Sequence, residues 1–232
     1  MTEAATEHLF DTREAASAAV AARIAALCVR SIDNEGDARI VVSGGSTPAR
    51  CFELLSETDL DWQRVQVMLS DERWVPAVDD QSNEKLVKET LLVNGASRAE
   101  LQPVYASDTD IQVRCEELDL AIRSLPFPFA CSLLGMGADG HFASLFPDAE
   151  NLDEGLDVDS GVLCMPVQTD ASPVPRISLT LAALSRSDEI VLLFFGDEKR
   201  AVYEKAKKAS NGYPVSHLLL QKRAPVSVYW AP

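Results

Sequence analysis

Basic residues, histidines and long apolar runs are all scarce in this sequence of 232 residues. Lys and Arg total 21 against 36 Asp and Glu, which leaves a formal charge of −15. Nonspecific binding to nucleic acid or to anionic lipid would have to work against that field. The longest apolar run, Ile190–Phe195, is far too short to cross a bilayer. We therefore expect neither a nucleic acid nor a membrane as a partner.

The sequence also lacks the spacings that mark disulfide frameworks and metal sites. Its five cysteines are an odd number, include no CxxC pair and stand mostly among apolar neighbours, which is typical of buried reduced thiols. No HExxH motif or cluster of His, Asp and Glu indicates a metal site. The N-terminus has no basic region followed by an apolar core and a small-residue cleavage site, so we expect no export signal and a cytoplasmic protein.

Short β-branched runs alternate with segments of helical spacing along the whole chain. Strands are predicted at Arg39–Ser43, Val65–Leu69, Ala130–Leu134, Glu189–Phe195 and Pro225–Tyr229. Helices are predicted at Thr12–Ser31, 46–55, Asn83–Leu92, Val113–Leu125, Ser178–Leu184 and Glu198–Ala209. This alternation favours an α/β fold in which helices cover both faces of a mainly parallel sheet. No internal repeat is visible, and we expect one domain over residues 1–232.

Two Pro- and Asp-rich stretches, Pro76–Asp80 and Asp148–Pro175, are predicted to be long connections. Long loops in a compact α/β protein are often functional, because ligands bind beyond the carboxyl ends of the strands. The polar motifs of this chain follow predicted strands, so we expect them to meet at that edge.

The segment SGGSTP follows the first of these strands and leads into a helix. Gly44 and Gly45 let the backbone approach a ligand, while Ser46 and Thr47, followed by proline, supply an N-cap. Exposed N–H groups at the helix start attract an anion. The segment is neither a Walker A loop nor GxGxxG, so a nucleotide is poorly supported. An ordinary tight turn before a capped helix explains it equally well.

Charged residues and a histidine follow two other predicted strands. The segment SDER comes directly after Val65–Leu69, where a solvated loop with a local ion pair is the commoner explanation. After Ala130–Leu134, three glycines bracket Asp139 and His141. Histidine titrates near neutrality and can act as a general base, and a carboxylate two residues away can fix its tautomer.

The other two histidines are weaker candidates for a base. His8 is expected in a frayed N-terminus, and His217 precedes a Leu-rich turn where a structural role is expected. A structural role within the loop is also open to His141, but three glycines in one turn favour a backbone shaped around a ligand. His141 is therefore the candidate base.

Four segments together resemble the 6-phosphogluconolactonase family in their order and rough spacing. They are SGGSTP, SDERWVP followed by SNEKL, LLGMGADGHFASLFP, and PRISLTLAAL. The resemblance spans nearly the whole chain and implies a Rossmann-like three-layer α/β fold shared with glucosamine-6-phosphate deaminase and ribose-5-phosphate isomerase. Two small departures are Phe142, where a small polar residue such as threonine is expected, and Ala182, where proline is frequent. Phe142 is expected to reshape the pocket wall.

The resemblance implies hydrolysis of 6-phospho-D-glucono-1,5-lactone to 6-phosphogluconate, the second step of the oxidative pentose phosphate pathway. It implies no metal or cofactor, and functional coupling to glucose-6-phosphate dehydrogenase. His141 would act as the general base, Asp139 would orient the imidazole or the water, and Arg73 would stabilise charge or steer the substrate. The implied substrate- and phosphate-binding residues are Gly44, Gly45, Ser46, Thr47, Asp71, Asn83, Arg176 and Lys199. Plain surface ion pairs are the alternative for Arg176 and Lys199.

Two other functions stay open at this point. A glucosamine-6-phosphate deaminase shares the phosphate loop and the Asp-Gly-His turn, but such enzymes typically carry DEY and an FNEP-like segment where this chain has DER and SLFP. A noncatalytic sugar-phosphate sensor would carry a basic helix-turn-helix, whereas the first forty residues here are Ala-rich and acidic to neutral. Such sensors also tend to lose the base that His141 would supply.

Overall fold

The structure, a computed structural model, describes residues 5–208 and 212–232. Its strands are β1 Thr6–Leu9, β2 Ala38–Val42, β3 Val65–Leu69, β4 Asp71–Arg73, β5 Glu100–Leu101, β6 Cys131–Leu134, β7 Cys164–Thr169, β8 Ser172–Leu179, β9 Ile190–Phe195 and β10 Val226–Ala231. Its helices are α1 Arg13–Glu35, α2 Ser46–Ser56, α3 Asn83–Thr90, α4 Ile111–Ser124, α5 Leu152–Leu156, α6 Leu181–Leu184, α7 Asp197–Ala206 and α8 Pro214–Leu220. Short 3-10 turns lie at Trp62–Arg64 and Asn94–Arg98.

Seven strands form a parallel sheet in the order β1-β10-β9-β6-β2-β3-β5. The central strands are apolar and buried along almost their whole length, as expected for a sheet covered on both faces. From β2 the chain moves outward to β3, whereas β6 pairs with the other side of β2. The strand order therefore reverses between β2 and β6, and such a switch point opens a crevice at the carboxyl ends of the strands. The predicted α/β fold is confirmed.

A second, antiparallel sheet of three strands in the order β4-β8-β7 covers this edge. Two predictions are wrong here: Ser178 and Leu179 end β8 instead of starting a helix, and the stretch Asp148–Pro175 contains β7 and the start of β8. The prolines of this segment are typical of loops and led to the wrong prediction, whereas in the structure pairing between strands satisfies the backbone groups of the neighbouring residues. In the resulting register Arg73 lies opposite Arg176.

Helix α1 packs against the main sheet. Thr12 caps it by accepting from the Ala15 N–H, and Gly36 ends it with a φ of 89°. Among the described residues, this one helix is long and apolar enough by composition to cross a membrane. It contacts β2, β6, β9 and β10 through a buried face, and core helices pass the same composition test.

The N-terminal segment is ordered in the sheet, so the predicted fraying at His8 is wrong. Strand β1 pairs in parallel with β10, and the His8 ring stacks on Tyr229 with 4.5 Å between ring centroids. All five cysteines are free and buried, as predicted. His217 lies in α8, and the last residue of the predicted helix Glu198–Ala209 lies outside the described residues.

Candidate active site

A cavity of about 330 Å³ opens at the crevice between the carboxyl ends of β2 and β6. It is lined by Ser43, Gly44, Gly45, Ser46, Thr47, Asp71, Arg73, Asn83, Gly135, Met136, Gly137, His141, Ala143, Phe146, Arg176 and Lys199. Every residue predicted for the site is in this lining except Asp139, which contacts His141 instead. A larger cleft of about 550 Å³ lies between α4 and β7, but its lining has no histidine or lysine.

The loop after β2 presents a helix start to this cavity. Gly45, with a φ of 86°, is the N-cap of α2, and no side chain accepts a hydrogen bond at that cap. The predicted N-cap at Ser46 is therefore wrong, because Ser46 is already the first helical residue. Gly44 is needed for a close approach, since a Cβ built there would lie 1.9 Å from Asn83 Oδ1. The first N–H groups of α2 are thus available to an anion.

The glycine-rich loop after β6 holds His141 and Asp139 together. His141 Nδ1 lies 2.6 Å from Asp139 Oδ1, and the same oxygen accepts from the His141 backbone N–H at 3.2 Å. A Cβ at Gly137 would lie 2.3 Å from the imidazole, which explains the glycine there. When the Asp139 carboxylate accepts from Nδ1–H, Nε2 keeps its lone pair and can take a proton.

Phe146 packs between the histidine and an arginine. Its ring lies 4.2 Å from the His141 ring and 5.2 Å from the Arg176 guanidinium carbon. Phe142 is fully buried and is not part of the cavity lining, so the expectation that it reshapes the pocket wall is wrong. A large apolar side chain is accommodated there because it points into the core.

Arg73 is held from the opposite wall through Asn83. Its Nη1 donates to Asn83 Oδ1, and Asn83 Nδ2 donates to the Asp71 carbonyl at 2.8 Å. Within the described residues, no carboxylate oxygen lies within 4 Å of the Arg73 guanidinium. Its charge is therefore free to meet a bound anion.

Asp71 and Arg176 form a buried polar pair at the back of the cavity. Asp71 accepts from Ser70 Oγ at 2.9 Å and from Ser144 Oγ at 2.6 Å, and its carboxylate lies 3.8 Å from Arg176 Nη1. Burial lowers the pKa of Arg176, Asp71 raises it, and the neighbouring Arg73 lowers it further. Arg176 is only 12% exposed, so a plain surface ion pair does not describe it.

Lys199 reaches the cavity from the first turn of α7. Burial lowers its pKa, while Asp139 and Glu198 act in the opposite direction. In the described part of the chain it forms no ion pair, whereas the adjacent Arg200 pairs with Glu7 and Glu204. The alternative of a surface ion pair therefore fits Arg200 and not Lys199.

Three residues that support the site are not evident from the sequence. Glu72 is the buried middle residue of the charged segment, Ser144 binds Asp71, and Phe146 packs on His141. The burial of Glu72 could not be predicted, because a run of three charged residues suggests an exposed loop and the neighbouring sequence does not show that α3 covers this residue. Phe146 had a weak signal in its place five residues after the candidate base.

The site combines an open helix start, three cationic side chains and a histidine oriented by a carboxylate. On an open α/β sheet, this combination is typical of enzymes that bind phosphorylated small molecules and move protons on them. Residues 11–230 match the family model of glucosamine-6-phosphate isomerases/6-phosphogluconolactonase, and the chain belongs to that family.

Individual relatives agree with this assignment. A 6-phosphogluconolactonase of Mesorhizobium japonicum is 40% identical over 223 residues, which cover 96% of this chain and 94% of the relative. The crystal structure of a 6-phosphogluconolactonase from Shewanella baltica matches with a TM-score of 0.94 at 35% identity and covers 100% of both chains. A monomeric glucosamine-6-phosphate deaminase matches with a TM-score of 0.73 at 20% identity, which shows a shared fold.

Proposed function

We propose that this chain hydrolyses 6-phospho-D-glucono-1,5-lactone to 6-phosphogluconate, with His141 as the general base. The observation that carries the proposal is the His141–Asp139 pair, 2.6 Å apart, at the edge of a cavity that also holds a helix start and three cations. Lactone opening needs a deprotonated water, and the 6-phosphate needs a compact positive site in a chain of net charge −15.

The ring is opened in two steps. His141 Nε2 takes a proton from water as the water oxygen attacks C1, and the carbonyl oxygen becomes an oxyanion. The tetrahedral intermediate then breaks its C1–O5 bond, and the imidazolium returns its proton to O5. The resulting carboxylic acid ionises in water. Asp139 keeps the imidazole in the tautomer that this sequence requires.

The phosphate binds to the Gly44–Thr47 backbone at the start of α2, with Arg176 and Lys199 as charge partners. Arg73 stabilises the negative charge that develops on the carbonyl oxygen at C1 or guides the substrate, and its guanidinium is held by Asn83. Asp71 fixes Arg176 and the Ser144 side chain from behind. This division uses every charged residue in the cavity lining.

The nearest alternative, deamination of an aminosugar phosphate, lacks its residues here. An aldose–ketose rearrangement needs a proton shuttle between adjacent carbons, and the chain has SLFP where related deaminases carry an FNEP-like segment. The hydrolase is therefore the function that this site supports best.

We also propose that the enzyme works in the cytoplasm beside glucose-6-phosphate dehydrogenase, whose reaction supplies the lactone. The free thiols of all five cysteines fit a reducing compartment. The test is to generate the lactone in place with that dehydrogenase and to compare acid release with and without this protein. Acid release at the spontaneous rate in the presence of the protein would refute the proposed lactone hydrolysis.

A further inference from the structure

Glu72 is a buried carboxylate that none of the proposed chemical steps uses. It lies between Asp71 and Arg73 on β4, is 1% exposed, and is absent from the cavity lining. Burial raises its pKa, and hydrogen bonds from four neighbouring groups oppose that shift. A buried carboxylate is costly unless its oxygens are well satisfied, so its place here calls for an explanation.

The Glu72 carboxylate joins β4 to the first turn of α3. Oε1 accepts from the Arg73 N–H at 2.7 Å and the Asn83 N–H at 2.8 Å. Oε2 accepts from the Glu84 N–H at 2.7 Å and from Ser82 Oγ at 3.0 Å. A negative charge at a helix N-terminus is also stabilised by the helix dipole.

The same helix turn carries the side chain that holds Arg73. Asn83 Oδ1 accepts from the Arg73 guanidinium, and Asn83 Nδ2 donates to the Asp71 carbonyl at 2.8 Å. Asn83 also packs so closely on Gly44 that no Cβ fits there. A displacement of the α3 start would therefore move the Arg73 guanidinium.

We propose that Glu72 is a positioning residue, whose carboxylate fixes the Arg73 guanidinium in the cavity through the first turn of α3. This inference rests on the proposed function for its kinetic readout. An ionised carboxylate is needed at this position because both of its oxygens accept hydrogen bonds. In Glu72→Gln the amide nitrogen would face backbone N–H donors and leave one of them unsatisfied.

The test is a double-mutant cycle of Glu72→Gln and Arg73→Ala, measured on the phosphorylated lactone. Alone, Glu72→Gln should lower kcat/KM by about 10- to 100-fold, because a small misplacement of a charged group is enough for that loss. In the Arg73→Ala background it should cost no more than about 3-fold, because its target is already gone. A purely structural role predicts the same loss in both backgrounds.

Glu84→Gln is the matched control, because Glu84 is also buried in the first turn of α3 but its side chain pairs with Lys88. It should keep kcat/KM within about 2-fold of wild type. If Glu72→Gln fails to fold, the cycle is run with Glu72→Asp, which keeps the charge but shortens the reach. Unchanged kcat/KM in the folded single variant, or equal losses in both backgrounds, would overturn the proposal.

The same cycle is run on the Kd of 6-phosphogluconate, which does not depend on turnover. A wild type that binds this acid but does not accelerate lactone opening would contradict the proposed function. The double-mutant cycle on Kd would still test the positioning role of Glu72. Glu72→Gln should then weaken binding only when Arg73 is present. Binding that is unchanged in Glu72→Gln, or equally weakened in both backgrounds, contradicts the positioning role.

Discussion

Replacing Asp139 by asparagine should slow turnover because the change disturbs the tautomer of His141 while removing no atom from the cavity lining. In the wild type, Asp139 Oδ1 lies 2.6 Å from Nδ1, and when this carboxylate accepts a hydrogen bond from Nδ1–H, Nε2 keeps its lone pair and can act as a base. An asparagine can present its NH₂ group to Nδ1, and the imidazole then carries its proton on Nε2. In that tautomer it cannot accept a proton from water.

The size of the effect is bounded by what a general base contributes. General-base catalysis is typically worth 10²- to 10⁴-fold, or about 3–5 kcal/mol. The Asp139 side chain is 44% exposed, so water can take its place at Nδ1 in a fraction of molecules. We therefore expect the lower end, a fall in kcat of about 100-fold, with KM within about 3-fold of wild type.

The assay couples lactone formation by glucose-6-phosphate dehydrogenase to acid release and subtracts spontaneous opening. Asp153→Asn is the matched control, because Asp153 is exposed on α5 and outside the cavity lining. It should behave as wild type. A folded Asp139→Asn variant with undiminished kcat would refute the orienting role of Asp139.

Three further outcomes are expected. Glucono-1,5-lactone should lose at least about 100-fold in kcat/KM relative to its 6-phospho form, and Arg176→Ala should narrow that gap, since each charge-assisted hydrogen bond is worth about 1.5–3 kcal/mol; equal kcat/KM values for the two lactones would refute a phosphate site. Because burial lowers the pKa of Lys199, the Kd of 6-phosphogluconate, measured by calorimetry, should rise at a lower pH than that at which an ordinary lysine loses its proton, and Lys199→Arg should abolish that rise. The same dependence of Kd on pH in both proteins would contradict this prediction. Burial raises the pKa of Glu7, but hydrogen bonds from Lys207 and Tyr203 outweigh it and leave that pKa lowered, so the contribution of Glu7 to folding stability is present at neutral pH and lost on acidification. Glu7→Gln should therefore lower Tm by about 2–4 °C at pH 7, for a loss of roughly 1 kcal/mol, and by less near pH 4. A variant with the wild-type Tm at neutral pH would contradict this prediction.

The strands that could be predicted from the sequence are those whose local pattern matches their burial. Strands β2, β3, β6 and β9 are short apolar runs buried on both faces, and their ends place the motifs at one sheet edge. Strand β4 consists of Asp71, Glu72 and Arg73, and only pairing with β8 and the cover of α3 make such a segment a buried strand. Tertiary partners, which a sequence window does not contain, decide these elements.

The residues of the candidate site divide in the same way. The glycines after β2 and the glycine-bracketed histidine after β6 are visible in short sequence windows, so Gly44, Gly45 and His141 are candidates that the sequence alone offers, and the structure brings them to one cavity. The supporting contacts of Glu72 with α3 and of Phe146 with Arg176 join different elements of the fold. No periodicity encodes such contacts, and the structure was needed to find them.

The central claim is that His141, in this cavity, accelerates the opening of 6-phospho-D-glucono-1,5-lactone. The most direct measurement generates the lactone in place and follows 6-phosphogluconate formation with the wild type, with His141→Ala and without protein. We expect the wild type to exceed the spontaneous rate, and His141→Ala to lose about 100-fold or more of that acceleration while staying folded. A wild type no faster than spontaneous hydrolysis, or a folded His141→Ala variant as fast as wild type, would contradict the account.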